Sequence, residues 1–305
     1  MHSRNVEEFD NQHKAVGKTS AELEAERSSR GLWPRETRDR VAMSTVLIGV
    51  PLGLAFETFY VVPQFLETGS QAWYCHAALA SFLLLNFIGN LYMVLVTDAS
   101  PDGSDLPHVL RPGWRYCFRC TLNSPPRSYH CPLCEVCVLK RDHHCSFAGK
   151  CIGYQNQRFY LLAVLYAWLA CLYAMSWHWD LIWQHLDGMR FGSVLAVLMP
   201  HMALLLGQVT LSQGWLAGVQ MAFLVGLSLT SYLLAVQTFC LARGHTQVEY
   251  REGIRAYDLG PMGNLGEALG QRPLLALLCP WFPSPLTGDG LRFPQRIQQE
   301  NAKDL

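Results

Sequence analysis

The stretch CEVCVLKRDHHCSFAGKC, residues 134–151, holds four cysteines and two adjacent histidines. It is the end of a wider window, residues 117–151, with seven of the chain's eleven cysteines and a third histidine. C-x2-C spacing occurs three times there, and it lets two thiolates reach one tetrahedral ion from a tight turn. Zinc prefers such sulfur and imidazole ligands, whereas cytosolic cysteines rarely form disulfides. The window therefore predicts metal sites.

The number of potential ligands suggests a catalytic cysteine as well as metal binding. Two closed zinc sites use eight ligands, whereas this window offers ten, seven cysteines and three histidines. Two sets of three cysteines and one histidine leave a cysteine and a histidine over, the composition of a thiolate nucleophile with its base. A domain with one zinc and spare cysteines, or another partition of ligands, explains the count too. These residues alone are therefore also compatible with a structural zinc domain that has no catalytic residue.

The segment around the window is polar and short. Residues 98–157 are rich in Cys, His and Pro and too few to bury much apolar core, so we expect metal to stabilise this domain. No internal repeat is evident along the chain.

The composition indicates a membrane protein. Half of the residues are apolar and only 16% are charged, against about 25% in soluble domains. Four stretches with at most one charge exceed the roughly 20 residues that cross a bilayer as a helix. They are residues 41–66, which contain Glu57, and residues 72–96, 159–179 and 215–242. Buried helices of a soluble protein average only about 11 to 12 residues and show a polar face. We therefore predict a mainly α, polytopic helical bundle with the cysteine-rich domain between spans two and three.

Basic residues predict the orientation of the bundle. They crowd the segments before the first span and between the second and third, which therefore face the cytosol. These residues are Arg27, Arg30, Arg35, Arg38 and Arg40, then Arg111, Arg115, Arg119, Arg127, Lys140, Arg141, Lys150 and Arg158.

A fifth apolar stretch, residues 191–211, carries Pro200 and His201 at its middle. If the C-terminal tail is also cytosolic, an even number of crossings must follow the cysteine-rich domain. We expect residues 159–179 and 219–242 to cross and residues 191–211 to form a luminal-side re-entrant or interfacial segment. A fifth span, or a luminal tail, is the alternative.

These boundaries divide the chain into five parts. They are a mobile cytosolic tail (1–40), the first two spans (41–97), the cysteine-rich zinc domain (98–157), the remaining membrane region (158–243) and a cytosolic tail (244–305). The last contains LLALLCPWFP, residues 274–283, which is too short to span and is expected at the membrane interface.

Polar residues within the spans have two interpretations. Glu57, Asn86 and Asn90 lie in apolar stretches, where they mark either a cavity or hydrogen bonds between helices. His178 has no partner at ligand spacing.

The sequence HCPLCEVCVLKRDHHC, followed by CIGYQNQRFY, resembles the DHHC cysteine-rich domain of membrane protein S-acyltransferases, the palmitoyltransferases. Upstream, C-x2-C and PPRSYHC fit the same pattern. The flanks agree as well, with two spans before the domain, more after it, and YDLGPMGN, ending in Asn264, which is similar to the family's tail motif.

The resemblance implies roles for individual residues. One zinc ion is assigned to Cys117, Cys120, His130 and Cys137. The other is assigned to Cys131, Cys134, His144 and Cys151. Cys145 would take an acyl group from acyl-CoA, such as palmitoyl-CoA, as a thioester and pass it to a cysteine of a substrate protein. His143 would be the base, oriented by Asp142.

Chemistry supports this division of roles. A thiol with a pKa of about 8.5 is mostly protonated at neutral pH, so it needs a neighbouring base. His143 can be that base, and Asp142 can fix its tautomer. At the membrane surface, the acyl chain can stay among the helices while the CoA phosphates remain in the cytosol.

Three positions depart from the family pattern. Ser146 and Phe147 follow the DHHC motif where the family usually has Pro and Trp. In TQVE, residues 246–249, Gln247 replaces a threonine of the family's Thr-Thr-x-Glu motif. Ser124 stands where a basic residue is usual.

We therefore predict a protein-cysteine S-acyltransferase. The alternative is a non-catalytic, membrane-tethered zinc module that recruits partner proteins, but such a module would need none of Asp142, His143 and Cys145. Expected partners are acyl-CoA, the lipid bilayer and substrate proteins with membrane-proximal cysteines, and no nucleic acid. The expected location is the Golgi or endoplasmic reticulum membrane, with the active site facing the cytosol.

Overall fold

A computed structural model describes residues 32–101 and 106–295. Of the predicted N-terminal tail, residues 1–31 lie outside this range. The helices before the cysteine-rich domain are α1 (Thr37–Phe56), a π-helical turn (Glu57–Val61), α2 (Val62–Phe65) and α3 (Gln71–Val96). The strands are β1 (Arg115–Cys117), β2 (Leu122–Ser124), β3 (Tyr129–Cys131), β4 (Val136–Val138), β5 (His143–Cys145) and β6 (Lys150–Ile152). The later helices are α4 (Gln157–His185), α5 (Phe191–Leu198), α6 (Pro200–Leu205), α7 (Leu211–Ala242), α8 (Gln247–Glu252), α9 (Pro261–Leu269) and α10 (Pro273–Leu278).

Four helical segments in the described ranges are long and apolar enough to cross a membrane. They are Thr37–Phe65, Gln71–Val96, Gln157–His185 and Leu211–Ala242. The cysteine-rich strands lie between the second and the third, so the predicted four-span architecture is confirmed. The fifth apolar stretch forms α5 and α6, which break at Met199 before Pro200 and are each too short to span.

The chain divides into two compact units. Within the described ranges, the first comprises residues 32–46, 89–101, 106–160 and 238–295, and it contains the cysteine-rich strands. The second comprises Leu47–Ile88 and Leu161–Gln237, which are parts of the membrane helices.

In the second unit, polar pairs join membrane helices. His178 Nε2 donates to Glu57 Oε2 at 2.6 Å, and the His178 ring packs edge-on against Phe223 with centroids 4.5 Å apart. His76 Nδ1 and the Tyr173 hydroxyl lie 2.9 Å apart. His178, for which the sequence suggested no partner at ligand spacing, is thus paired with Glu57, the first residue of the π-helical turn, and both residues are buried.

In the first unit, the strands form three antiparallel hairpins, β1–β2, β3–β4 and β5–β6. Cys117, Cys131 and Cys145 end the first strand of each hairpin and stand fourteen residues apart. Each pairs with the first residue of the following strand, Leu122, Val136 or Lys150. The hairpins therefore form an internal repeat, and the expectation of none was wrong. The repeat is hard to see in the sequence because little beyond the ligand positions recurs.

The same turn geometry recurs at this period. Thr121, Glu135 and Gly149 all have positive φ angles, of 51°, 55° and 59°. Glycine suits the third turn because Pro34 packs against it, and an added Cβ would lie 2.3 Å from Pro34 Cγ.

The C-terminal segment packs on these hairpins through a buried ion pair. Arg127 follows β2, and its Nε and Nη2 atoms donate to the two carboxylate oxygens of Glu249 at 2.6 and 2.8 Å. Glu249 also completes a capping box with Thr246 at the start of α8. The cysteine-rich domain and α8 therefore lie on the same side of the membrane, which agrees with the two crossings, α4 and α7, between them.

We expect Arg127→Met to destabilise the protein by about 3–5 kcal/mol, because it leaves the Glu249 charge buried without its partner. Thermal inactivation of the purified protein would measure this. The control is Arg35→Met, which removes an exposed ion pair with Glu135 at 3.5 Å and should cost at most about 1 kcal/mol. Equal effects of the two substitutions would contradict the prediction.

Candidate active site and metal sites

The first cluster of possible metal ligands draws on two hairpins. Cys117 and Cys120 come from the turn of β1–β2, whereas His130 and Cys137 face each other across β3–β4. One ligand atom from each residue lies within 4.8 Å of all the others. His130 Nδ1 is 3.8 Å from Cys117 Sγ and 3.2 Å from Cys120 Sγ.

The second cluster repeats this arrangement one hairpin later. Cys131 and Cys134 come from the turn of β3–β4, and His144 pairs with Cys151 across β5–β6. His144 Nδ1 is 3.7 Å from Cys131 Sγ, 3.2 Å from Cys134 Sγ and 3.8 Å from Cys151 Sγ. The structure thus brings together the two sets of four residues that the family pattern implies.

Both clusters fit a tetrahedral ion. Zinc with bonds of about 2.3 Å to sulfur and about 2.0 Å to nitrogen holds its ligands about 3.5–3.8 Å apart. The distances of 3.7 Å from Cys131 Sγ to His144 Nδ1 and from Cys134 Sγ to Cys151 Sγ agree with this spacing, and the distance of 3.2 Å from Cys134 Sγ to His144 Nδ1 is slightly shorter. The clusters can therefore bind metal ions.

Sequence reasoning missed a residue that supports the second cluster. Asp39 was assigned to the N-terminal tail, but α1 begins at Thr37 and buries Asp39 to 2% exposure. His144 Nε2 donates to Asp39 Oδ2 at 2.7 Å, which leaves Nδ1 free to bind metal. Carboxylates that orient a ligating histidine in this way raise metal affinity. One aspartate before an apolar stretch gives no sequence signal of this role.

We expect Asp39→Asn to weaken metal binding at the second cluster by about 10- to 100-fold. Competition with a zinc chelator, followed by metal analysis, would measure this. Asp289→Asn, a change in a loop outside both clusters, is the control and should leave the chelator dependence unchanged. An Asp39→Asn protein with wild-type zinc retention would show that this hydrogen bond does not support the site.

The third hairpin differs from the other two. Cys145 occupies the position that Cys117 and Cys131 occupy in theirs, but Ala148 stands where the second cysteine of C-x2-C would be. Among the described residues, neither cluster of potential ligands includes Cys145. The hairpin repeat thus leaves a single thiol at its end, 6% exposed.

His143 lies between that thiol and a buried carboxylate. Its Nδ1 atom donates to Asp142 Oδ2 at 2.7 Å, and Asp142 is fully buried. Burial alone lowers the pKa of His143, but hydrogen bonds and opposite charge from Asp142 and Cys145 raise it to about 9. Because Nδ1 is occupied by Asp142, Nε2 is the nitrogen that can accept a proton from Cys145.

Two further residues hold this pair in place. The Gln247 backbone N–H donates to Asp142 Oδ1 at 2.7 Å, and its side-chain Nε2 donates to Oδ2 at 3.3 Å. Tyr160 packs against the His143 ring with centroids 4.8 Å apart. The larger Gln247 side chain therefore still reaches the carboxylate, although it departs from the family motif.

Two asparagines, Asn156 of CIGYQNQRFY and Asn264 of YDLGPMGN, organise the backbone around the site. Asn156 accepts from Gly153 N at 2.9 Å and donates to Cys151 O at 3.1 Å. Asn264 accepts from Leu259 N at 2.9 Å and donates to Ala242 O at 3.2 Å. Each fixes a turn beside the hairpins or α8.

Comparison with known proteins finds similarity to palmitoyltransferases throughout. Residues 111–254 match the DHHC palmitoyltransferase family. The human probable palmitoyltransferase ZDHHC24 is 40% identical over 224 residues, which cover 71% of this chain and 77% of that protein. Its zebrafish counterpart (Danio rerio) is 38% identical over 73% of this chain and 76% of that protein. The rat palmitoyltransferase ZDHHC22 is 32% identical over 68% of this chain and 77% of that protein.

Proposed function

Because the chain belongs to the DHHC palmitoyltransferase family and is a protein S-acyltransferase, we propose that Cys145 is the residue that carries the acyl group. The observation that supports this most directly is the third hairpin, in which Cys145 lies outside both ligand clusters and beside the His143–Asp142 pair. We infer that His143 is the base and that Asp142 orients it.

In the first step, the Cys145 thiol gives its proton to His143 Nε2. The resulting thiolate attacks the thioester carbonyl of acyl-CoA, the carbon–sulfur bond to CoA breaks, and the CoA thiol leaves with the proton from His143. Burial lowers the pKa of His143, but Asp142 and the Cys145 thiolate raise it to about 9, so the imidazolium–thiolate pair that this transfer forms is favoured. Asp142 stabilises the imidazolium form through Nδ1.

In the second step, a substrate cysteine gives its proton to His143 and attacks the acyl group on Cys145. The new thioester forms as the bond to Cys145 breaks, and Cys145 takes the proton from His143 and is released as a thiol. A thioester is exchanged for a thioester in both steps, so no further energy source is required.

We propose that the two ligand clusters hold structural zinc ions. They would fix the hairpins, since residues 106–157 form only three short hairpins with little apolar core of their own. Closed four-ligand sites of this kind leave no open coordination position, so the metals would not touch the substrate.

We also propose the orientation of the active site, the class of substrates and the membrane in which the enzyme lies. The basic residues around the hairpins support a cytosolic site, and the adjoining membrane spans favour long-chain acyl-CoA and substrate cysteines near the bilayer. We place the enzyme in the Golgi or endoplasmic reticulum membrane. No observation favours the non-catalytic zinc module.

The decisive experiment is to incubate the purified protein with palmitoyl-CoA and locate the acyl group by mass spectrometry. We expect one palmitoyl thioester on Cys145, cleaved by neutral hydroxylamine, and two zinc ions per chain. Cys75→Ser, which changes an exposed thiol outside the site, is the control and should acylate normally. A thioester on another cysteine, or none, would contradict the assignment.

The Gln247 side chain gives a finer test. Gln247→Ala removes one hydrogen bond to Asp142 but keeps the backbone bond, so we expect Cys145 acylation to slow by about two- to tenfold. Gln247→Thr should be closer to wild type, and Arg251→Ala, on the exposed face of the same helix, should have no effect. An unchanged rate in Gln247→Ala would show that the backbone contact alone positions the acid.

A further inference from the structure

The two faces of the third hairpin carry different residues. Side chains alternate between the faces along β5 and β6, and residues directly opposite each other share a face. His144 is opposite Cys151, so one face carries two ligands of the second cluster. The other face carries His143, Cys145, Lys150 and Ile152. The proposed nucleophile and base therefore share their face with a cationic side chain.

Lys150 stands directly opposite Cys145, at a position that is apolar in the other two hairpins. The residues paired there with the last cysteine of the first strand are Leu122 and Val136. In those hairpins the cysteine belongs to a ligand cluster, whose metal ion would balance the charge of the thiolate, whereas Cys145 belongs to neither cluster. The one cysteine of the repeat that lies outside the clusters is thus the one paired with a cation.

The Lys150 side chain is held in place at the end of the second span. Its ammonium group donates to the backbone carbonyl of Leu95, and α3 ends one residue later, at Val96. The last four carbonyls of a helix have no partner within the helix, and the helix dipole favours a cation there. Directly opposite residues have Cβ atoms about 4.5–5.5 Å apart. The charge of Lys150 is therefore fixed near Cys145.

We propose that the Lys150 ammonium group stabilises the oxyanion that forms when Cys145 is acylated, an inference that rests on the proposed role of Cys145. The Cys145 thiolate bonds to the carbonyl carbon of acyl-CoA, and an electron pair of the C=O double bond moves onto oxygen. The double bond forms again as the carbon–sulfur bond to CoA breaks, and the CoA sulfur takes the proton from His143. A cation already fixed beside the oxygen lowers the barrier, because it needs no reorganisation when the charge develops.

The other side chains on this face have different tasks. His143 moves a proton between two sulfur atoms, so its Nε2 atom faces sulfur, while its Nδ1 atom donates to Asp142. Ile152 is apolar and buried. Of the four residues on the face, Lys150 is therefore the one that can donate to the carbonyl oxygen. Its charge is too near Cys145 to meet the phosphates of CoA, because the pantetheine arm separates those phosphates from the thioester.

Three substitutions separate the charge of Lys150 from its contact with Leu95. Lys150→Gln keeps a donor for the carbonyl but loses the charge, Lys150→Arg keeps both, and Lys150→Met loses both. Each purified full-length protein is mixed with palmitoyl-CoA at several concentrations, and the thioester on Cys145 is followed by mass spectrometry. We expect the maximal rate to fall by about 10²- to 10³-fold in Lys150→Met and at least about tenfold in Lys150→Gln. KM should change little, and Lys150→Arg should recover most of the rate.

Alkylation of Cys145 by iodoacetamide provides a second measurement. It uses the same thiolate but forms no oxyanion, so in Lys150→Gln it should slow much less than acylation. The control Arg251→Gln removes an exposed charge on α8 and should leave both rates unchanged. Wild-type zinc content establishes that each variant is folded, and if Lys150→Met fails this check, the comparison of Lys150→Gln with Lys150→Arg decides.

Three results would overturn the inference and leave the proposed function standing. One is a wild-type rate of acylation in Lys150→Gln, which would mean that only the contact with Leu95 matters. Another is an equal loss of acylation and alkylation. The third is a raised KM with an unchanged maximal rate, which would indicate that Lys150 binds CoA. A wild-type protein without a thioester on Cys145 would instead overturn the proposed function and this inference together.

Discussion

Cys145→Ser is expected to lower acyl transfer by at least about a thousandfold and to leave two zinc ions bound. The hydroxyl is a far weaker nucleophile than a thiolate, and His143 cannot ionise it to a comparable extent. The ligand clusters exclude Cys145, so the metal sites should not respond. Autoacylation with palmitoyl-CoA and metal analysis of the same preparation measure the two effects.

The control is Cys134→Ser, which makes the same sulfur-to-oxygen change at a ligand position in the turn of the preceding hairpin. Cys134 Sγ is 3.2 Å from His144 Nδ1, so its loss should release zinc from the second cluster and unfold the hairpins. Equal zinc loss in both variants would mean that Cys145 is a ligand and not the nucleophile.

His143→Ala is expected to slow Cys145 acylation by about 10²- to 10⁴-fold near neutral pH without releasing zinc. Raising the pH toward the ordinary thiol pKa of about 8.5 should partly restore the rate, because hydroxide can ionise the thiol when the base is missing. In the wild type, the raised pKa of His143, about 9, means that the fold stabilises the imidazolium. That stabilisation is complete below about pH 6.5 and is lost as the pH rises through 9. In this range the wild type holds Cys145 as a thiolate paired with the imidazolium, whereas the variant depends on hydroxide to ionise the thiol. The wild-type rate should therefore vary less with pH than that of the variant.

The adjacent histidine is the internal control. His144→Ala removes the Nδ1 ligand of the second cluster, so zinc should be lost and no pH should restore activity, since hydroxide cannot rebuild a metal site. The measurement is a pH series of autoacylation for both variants, with Cys145→Ser as the blank at each pH. Zinc loss in His143→Ala, or full zinc and recovery at high pH in His144→Ala, would mean that the two histidines are assigned the wrong way round.

The sequence by itself determined the class of the protein. Span length and low charge predict the four membrane helices, because the bilayer requires long apolar helices whatever their tertiary contacts. The two cysteines of C-x2-C reach one ion from the same turn, so the sequence alone predicts these pairs as metal ligands. The spacing did not reveal how the pairs combine with histidines, and the ligand sets came from the family resemblance.

Only the tertiary structure decided how distant residues complete the site. Asp39 reaches His144 across 105 positions of sequence, and Glu249 reaches Arg127 across 122. The fourteen-residue hairpin repeat places Cys145 at the position of a ligand, but Ala148 stands at the next ligand position and Cys145 lies in neither cluster. Such contacts have no local signal, because the free energy that favours them comes from burial and pairing of groups that folding alone brings together.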